Sequence, residues 1–85
     1  MIMDDRRKRL LYRAMHRGMK ETDALIGGFA SSCLPELSEE DLITFELLLN
    51  ESDNDLLSWT LERAEVPNKS LVSIVERVIA YRKSL

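Results

Sequence analysis

Apolar side chains recur every three or four residues along most of the chain, which is the spacing of one face of an α-helix. The clearest stripe lies in the last segment and consists of Leu71, Ile74, Val75, Val78 and Ile79. No segment alternates apolar and polar residues for long enough to predict a β-strand. We therefore expect an all-α fold, a compact bundle of five short helices that forms a single domain over residues 1–85.

The boundary between the first two predicted helices lies at Gly18. The first helical pattern runs from Asp4 to about Arg17, and Gly18 can end it because glycine adopts the left-handed backbone conformation at little cost. The second helix should begin one or two residues later, with acidic residues favourably placed in its first turn. Inside that helix the pair Gly27–Gly28 lowers helical stability, which predicts close approach of a neighbouring helix.

Short polar side chains mark the starts of the later helices, where they can cap free backbone amides. The candidate caps are Ser38 for the third helix, Ser52 or Asp53 for the fourth, and Asn68 or Ser70 for the fifth. In the third helix Ile43 and Leu47 widen the predicted inward stripe. The fourth helix is expected to carry core residues as far as Ala64, with Trp59 among them.

Composition and cysteine content suit a folded protein of a reducing compartment. Apolar residues make up 45% of the chain and charged residues 32%. No apolar run reaches the roughly 18 residues of a transmembrane helix, so we expect no membrane insertion. Cys33 is the only cysteine, which excludes an internal disulfide and predicts a small buried apolar group. The start at Met1 without a targeting segment favours the bacterial cytoplasm, or the mitochondrial matrix for a trimmed eukaryotic chain.

Charge is distributed unevenly along the chain. Residues 1–20 hold seven bases and two acids, whereas residues 36–65 hold ten acids and one base. Arg6, Arg9, Arg13 and Arg17 form a basic ridge on the first helix, because they are spaced by three or four residues. Such a ridge is usually only a solvated helix face, but the basic first segment by itself also suggests binding to nucleic acid or to an acidic protein surface. The acidic middle of the chain favours the protein partner.

Few residues are suited to catalysis. His16 is the only histidine, and with one distant cysteine it cannot build a metal site. Nothing marks a serine as an activated nucleophile. The acids at Asp53 and Asp55 lack the glycine and ligand spacing of a calcium loop. We therefore predict that the chain is not an enzyme and holds no metal.

The segment His16–Asp23 contains an abrupt change from basic to acidic residues around Gly18. Arg17 and Glu21 are four residues apart, so they can form a surface ion pair of at most ~1 kcal/mol. Alternatively, the guanidinium and the carboxylate are displayed beside a residue without a side chain. The backbone of another protein can then come close and form charge-assisted hydrogen bonds with both groups.

Several motifs together resemble a known family. They are Arg9-Leu10-Leu11-Tyr12, then Arg17-Gly18-Met19-Lys20-Glu21-Thr22-Asp23, then Leu37-Ser38 with Phe45, Leu47-Leu48, and Asn54-Asp55-Leu56-x-x-Trp59. The chain is similar to the small succinate dehydrogenase assembly factors of bacteria and mitochondria, which promote covalent attachment of FAD to the flavoprotein subunit. The resemblance covers roughly residues 6–60, and its Arg-Gly-x-x-Glu core is the hallmark of that family.

The resemblance implies a monomeric five-helix assembly factor without enzymatic activity. Its partner would be the immature flavoprotein subunit of succinate dehydrogenase, or of the related fumarate reductase. It would bind no cofactor stably and would act on the FAD of its client, whose own groups form the flavin–histidine bond. The implied partner-binding residues are Arg17, Gly18 and Glu21 at the centre, with Met19, Asp23, Tyr12 and His16 at the rim.

Two other functions remain open on the residues alone. The first is a small helical nucleic-acid-binding module that uses the basic N-terminal helix, and it requires a steep salt dependence of binding. The second is a small enzyme, for which the chain offers little chemistry.

Overall fold

The computed structural model of the chain describes residues 3–85; Met1 and Ile2 of the expected 1–85 domain lie outside the described residues. The five α-helices are α1 (Asp5–Met15), α2 (Lys20–Cys33), α3 (Glu39–Leu48), α4 (Asp53–Thr60) and α5 (Val72–Ser84). Short 3-10 turns, Leu34–Glu36 and Lys69–Leu71, precede α3 and α5. Residues 3–85 contain no strand, so the prediction of an all-α fold with five helices is confirmed.

Side chains cap the N-terminal ends of three helices, and a fourth side chain caps the short 3-10 turn that leads into α5. The caps are Asp4 for α1, Ser38 for α3, Ser52 for α4 and Asn68 for the turn that leads into α5. The carboxylate of Asp4 accepts a hydrogen bond of 2.8 Å from the Arg7 amide. That bond lowers the pKa of Asp4, because it stabilises the charged form. In α2 the N-cap is Met19, which provides no side-chain cap.

The core is built around α2, which packs against α1, α4 and α5. Its largest members are Leu10, Ile26, Phe29, Leu42, Phe45, Leu48, Leu56, Trp59, Leu71, Ile74, Val75 and Val78. The side chain of Phe29 lies against Phe45, with ring centroids 5.6 Å apart. Trp59 is buried, as predicted. Cys33 is only half-buried at the edge of this core, and burial raises the pKa of its thiol.

Gly27 and Gly28 allow two helices to approach α2 from different sides. A Cβ atom on Gly27 would lie 3.2 Å from the Cα atom of Met15 in α1. A Cβ atom on Gly28 would lie 2.5 Å from the Tyr81 hydroxyl of α5. The predicted close approach of a neighbouring helix is therefore confirmed, and each glycine accommodates its own neighbour.

Two helices end earlier than the sequence pattern indicated. α1 ends at Met15 rather than near Arg17, and Gly18 therefore stands beyond the helix cap. The cause is that Arg17 makes its bonds to other segments instead of continuing the helix. α4 ends at Thr60 rather than Ala64, because Glu62 adopts a left-handed φ of 60° and reverses the chain.

The predicted inward stripe of α3 was too wide. Ile43 and Leu47 are 46% and 45% exposed, so they do not belong to the core. The side of α3 next to them carries Glu39 and Glu46, which both bond to Arg6 of α1. Since that side faces α1, the following positions of the helix turn towards solvent.

No helix within residues 3–85 has both the length and the apolar character needed to cross a membrane.

A candidate partner-binding corner between α1 and α2

The loop that joins α1 to α2 changes direction at Gly18, which is exposed and has a φ of +104°. Few residues other than glycine adopt this conformation. The space around it is open: the nearest neighbour of an added Cβ atom would be Asp53 Oδ2, 4.0 Å away. Gly18 is therefore required by the backbone conformation and not by crowding, and a partner can approach it closely.

Arg17 points away from the solvent and into the molecule. Its side chain is 11% exposed, and Nε donates a 2.8 Å hydrogen bond to Asp53 Oδ1. The two terminal nitrogens donate to the carbonyl oxygens of Leu49 and Glu51. Each of the three guanidinium nitrogens thus donates a hydrogen bond to Asp53 or to the turn between α3 and α4. The expected pair with Glu21, and the expected display of the guanidinium at the surface, are not what the structure shows.

Asp23 holds the same loop from the other side. Its Oδ1 atom accepts a hydrogen bond from the Arg17 backbone amide, and its own amide donates to the Met19 carbonyl at 2.9 Å. Asp23 is half-buried, and the half-buried Met19 is the N-cap of α2. Both residues therefore act mainly within the loop, while parts of their surfaces remain accessible.

Glu21 is exposed in the first turn of α2. Within residues 3–85 no cationic side chain lies within ion-pair distance of its carboxylate. The N-terminal end of a helix favours a negative charge there. Glu21 therefore offers an ionised acceptor to an incoming group, at a cost in desolvation but without breaking a bond inside the molecule.

Tyr12 and His16 form a stacked pair on the last turn of α1. Their ring centroids are 4.0 Å apart with an interplanar angle of 20°, and Tyr12 is 65% exposed. Nδ1 of His16 lies 2.8 Å from the Tyr12 carbonyl oxygen. Because a carbonyl oxygen only accepts, Nδ1 is the donor of this hydrogen bond. The pair adds an aromatic surface to the corner.

The seven predicted site residues thus divide into two groups around one loop. Gly18, Glu21, Tyr12 and His16 are exposed, whereas Arg17, Asp23 and Met19 are partly or largely buried. Sequence reasoning missed Asp53 and the carbonyl groups of the α3–α4 turn. Asp53 had been interpreted as a helix cap, and no spacing rule connects it to Arg17, 36 positions earlier.

Two of the four ridge arginines, Arg6 and Arg17, form ion pairs within the molecule. Arg6 pairs with Glu39 and Glu46 of α3, and the hydrogen bond that it donates to Glu39 raises the pKa of Arg6. Arg13 donates to the side chain of Asn50 at 2.9 Å. Since Arg17 pairs with Asp53, three of the four ridge arginines face the start of α4 or the side of α3. The ridge therefore joins parts of this chain.

The described residues also contain an open groove of about 620 Å³ between the end of α4 and α5. Its apolar lining includes Trp59, Val66, Val72 and Ile79. None of the seven predicted site residues lines it. Among residues 3–85 there is also no group of three or more His, Cys, Asp or Glu side chains that could hold a metal ion.

Comparison with known proteins identifies relatives over most of the chain. The chain is 40% identical over 72 residues to mitochondrial succinate dehydrogenase assembly factor 2 of Dictyostelium discoideum; that alignment covers 85% of this chain and 51% of the relative. It is 36% identical over 74 residues to the FAD assembly factor SdhE of Acetobacter pasteurianus, which covers 87% of this chain and 68% of the relative.

A third relative, mitochondrial succinate dehydrogenase assembly factor 2 of Saccharomyces cerevisiae, is 44% identical over 57 residues, or 67% of this chain and 35% of the relative. The chain thus spans about half the length of the Dictyostelium relative and 35% of the length of the yeast relative. No solved structure gives a significant match. The family described as flavinator of succinate dehydrogenase matches residues 8–82, and the chain belongs to this family, as its motifs predicted.

Proposed function

We propose that this chain is an assembly factor that binds the flavoprotein subunit of succinate dehydrogenase and promotes covalent attachment of FAD to it. The family description and the names of the relatives support this activity. The chain would act without an active site of its own. FAD would stay with the client, whose own groups would form the bond to the flavin, and this chain would leave afterwards.

The observation that carries the proposed binding surface is the corner formed by Gly18 and Glu21. Glu21 is exposed and has no ion-pair partner among the described residues, and the space above Gly18 is open. A client backbone can therefore approach Gly18 while a client amide or cation binds the Glu21 carboxylate. Tyr12 and His16 would extend the contact with a stacked aromatic surface. The fumarate reductase flavoprotein is a second candidate client, because the chemistry of recognition would be the same.

The nucleic-acid-binding alternative is not supported. The family and the relatives are described by flavin attachment and assembly. The ridge arginines Arg6 and Arg17 form ion pairs with acidic residues of α3 and α4, which lowers the positive charge that the ridge offers to a phosphate backbone.

The proposal is tested by covalent flavin formation. The purified flavoprotein subunit is incubated with FAD in the presence or absence of this protein, then denatured and separated on a gel, and flavin fluorescence of its band is measured. We expect strong fluorescence only when the protein is present. Equal fluorescence without it would refute the proposed function.

Glu21→Ala probes the binding surface in the same assay, and Glu40→Ala is a matched control. Both glutamates are exposed at the second position of a helix, so each substitution removes a similar helix-dipole interaction of about 0.3–1 kcal/mol. A charge-assisted hydrogen bond contributes roughly 1.5–3 kcal/mol, which corresponds to about a tenfold change or more. Under limiting protein, Glu21→Ala should lower the initial rate of flavin attachment by about tenfold, and Glu40→Ala should leave it within about twofold. Equal rates for the two variants would show that Glu21 is not part of the client-binding surface.

A further inference from the structure

The Arg17 side chain is more tightly held than a surface contact residue needs to be. Its Nε–H donates a hydrogen bond to Asp53, and its terminal nitrogens donate to two backbone carbonyl oxygens of the α3–α4 turn. The side chains of Arg17 and Asp53 are 11% and 17% exposed. A client that drew this guanidinium outwards would have to break those bonds and leave a nearly buried carboxylate without its cation, which is costly.

The same network fixes the conformation of the Gly18 loop. Asp23 accepts the Arg17 amide from the α2 side, while Asp53 and the turn carbonyls hold the Arg17 side chain from the opposite side. Gly18 follows directly, and Asp53 Oδ2 lies 4.0 Å from the position of a Cβ atom on it. Through these bonds of Arg17, the loop before Gly18 is held by α2 on one side and by α4 and the turn before it on the other.

We propose that Arg17 and Asp53 are positioning residues that hold the Gly18 loop in its client-binding conformation and do not themselves contact the client. This inference rests on the proposed function and deepens it. It means that the α3–α4 turn and Asp53, which bond to the arginine of the Arg-Gly-x-x-Glu motif, also determine the conformation of that motif. A pre-formed loop lowers the ordering cost of binding, which is how positioning raises affinity.

The first test needs no client. Exchange of the Arg17 backbone amide and of its Nε–H with solvent is followed by NMR in the wild type, in Asp53→Ala and in Asp41→Ala. Asp41→Ala is the matched control, because it removes an aspartate–arginine ion pair of 3.2 Å that joins α3 to α5 and does not involve the Gly18 loop. Asp53→Ala should speed both exchange rates by about tenfold or more, and Asp41→Ala should leave them within about twofold. Unchanged exchange in Asp53→Ala would overturn the positioning role whatever the client is.

The second test measures affinity for the purified flavoprotein subunit. Arg17→Ala and Asp53→Ala should each weaken binding by about tenfold, and the double variant should bind no worse than the weaker single one, because the two residues act as a unit. Asp53→Asn keeps an oxygen acceptor for Nε–H but removes the negative charge opposite Arg17, so it should weaken binding less than Asp53→Ala does. If Asp53→Ala fails to fold, Asp53→Asn takes its place in both tests, and unchanged exchange and unchanged affinity in that variant would overturn the inference.

Two outcomes distinguish the alternatives. A large loss in Arg17→Ala with near-normal binding in Asp53→Ala would make Arg17 a direct client contact and overturn the inference. No binding by the wild type would refute the proposed function, while the exchange measurement would still decide whether Asp53 positions the loop.

Discussion

At Gly18 the backbone conformation restricts which residue can stand there, although the surrounding space is free. The φ of +104° lies in a region that residues with a side chain rarely adopt. Within residues 3–85, no atom outside its immediate neighbours lies closer than 4.0 Å to the position of a Cβ atom. Alanine and longer unbranched residues at this position therefore share a similar backbone strain, which arises at Cβ. A longer side chain also extends into the space where a partner would bind.

We predict that Gly18→Ala and Gly18→Arg lower the free energy of unfolding by similar amounts, about 1–2 kcal/mol each. The reason is that the strain arises at Cβ, which both residues share, while the rest of the arginine side chain reaches solvent. Urea unfolding followed by circular dichroism measures this. A much larger loss for arginine would show that its side chain collides within the folded protein.

Among single residues, sequence reasoning identified the loop but misjudged how Arg17 is used. The motif placed Arg17, Gly18 and Glu21 together because they are neighbours in the chain. It could not show that the guanidinium turns towards Asp53, since that contact joins residues 36 positions apart and depends on how α3 and α4 pack. Local spacing reports on neighbours along a helix, and long-range bonds of a flexible side chain leave no such periodic signal.

The helices themselves could be predicted almost completely, because each has its own apolar stripe and every one except α2 begins at or just after a side-chain cap. Ser38, Ser52 and Asn68 were identified as caps and accept the expected backbone amides. The ends were less predictable than the starts. α4 stops where Glu62 takes the left-handed conformation, and no glycine marks that position in the sequence. Exposure of Ile43 depends on which side of α3 meets α1, which a single helix pattern does not reveal.

At the level of helix packing, Gly27 and Gly28 should respond differently to alanine. Gly27→Ala pushes a methyl group against the backbone of α1 and should cost about 1–2 kcal/mol after the gain in helix propensity. Gly28→Ala meets only the hydroxyl end of Tyr81. In a Tyr81→Phe background that obstacle is absent, and Gly28→Ala should stabilise the protein by about 0.5–1 kcal/mol.

Urea denaturation of the two alanine variants, each alone and with Tyr81→Phe, decides this. Tyr81→Phe should leave the cost of Gly27→Ala unchanged. The packing account is wrong if Gly27→Ala is tolerated as well as Gly28→Ala in the phenylalanine background.

Considered as a whole molecule, the protein uses part of its N-terminal positive charge to hold itself together. Arg6, Arg13 and Arg17 connect α1 and the Gly18 loop to α3 and α4. The exposed corner is left with Glu21, the Tyr12–His16 stack and the open space above Gly18. Net charge along the sequence predicted a dipolar surface for a partner. Folding pairs Arg6 and Arg17 with acidic residues of the middle segment, while Lys8, Arg9, Arg13 and Lys20 stay exposed.

The most direct measurement of the central claim is the affinity of Gly18→Arg for the purified flavoprotein subunit, compared with that of Gly18→Ala. Both variants carry the same backbone strain, so their folded fractions match and the difference reports on the surface alone. If the client docks over Gly18, Gly18→Arg should bind at least about 100-fold more weakly than Gly18→Ala, because the arginine side chain occupies the contact. Equal affinities for the flavoprotein would contradict the proposed binding corner.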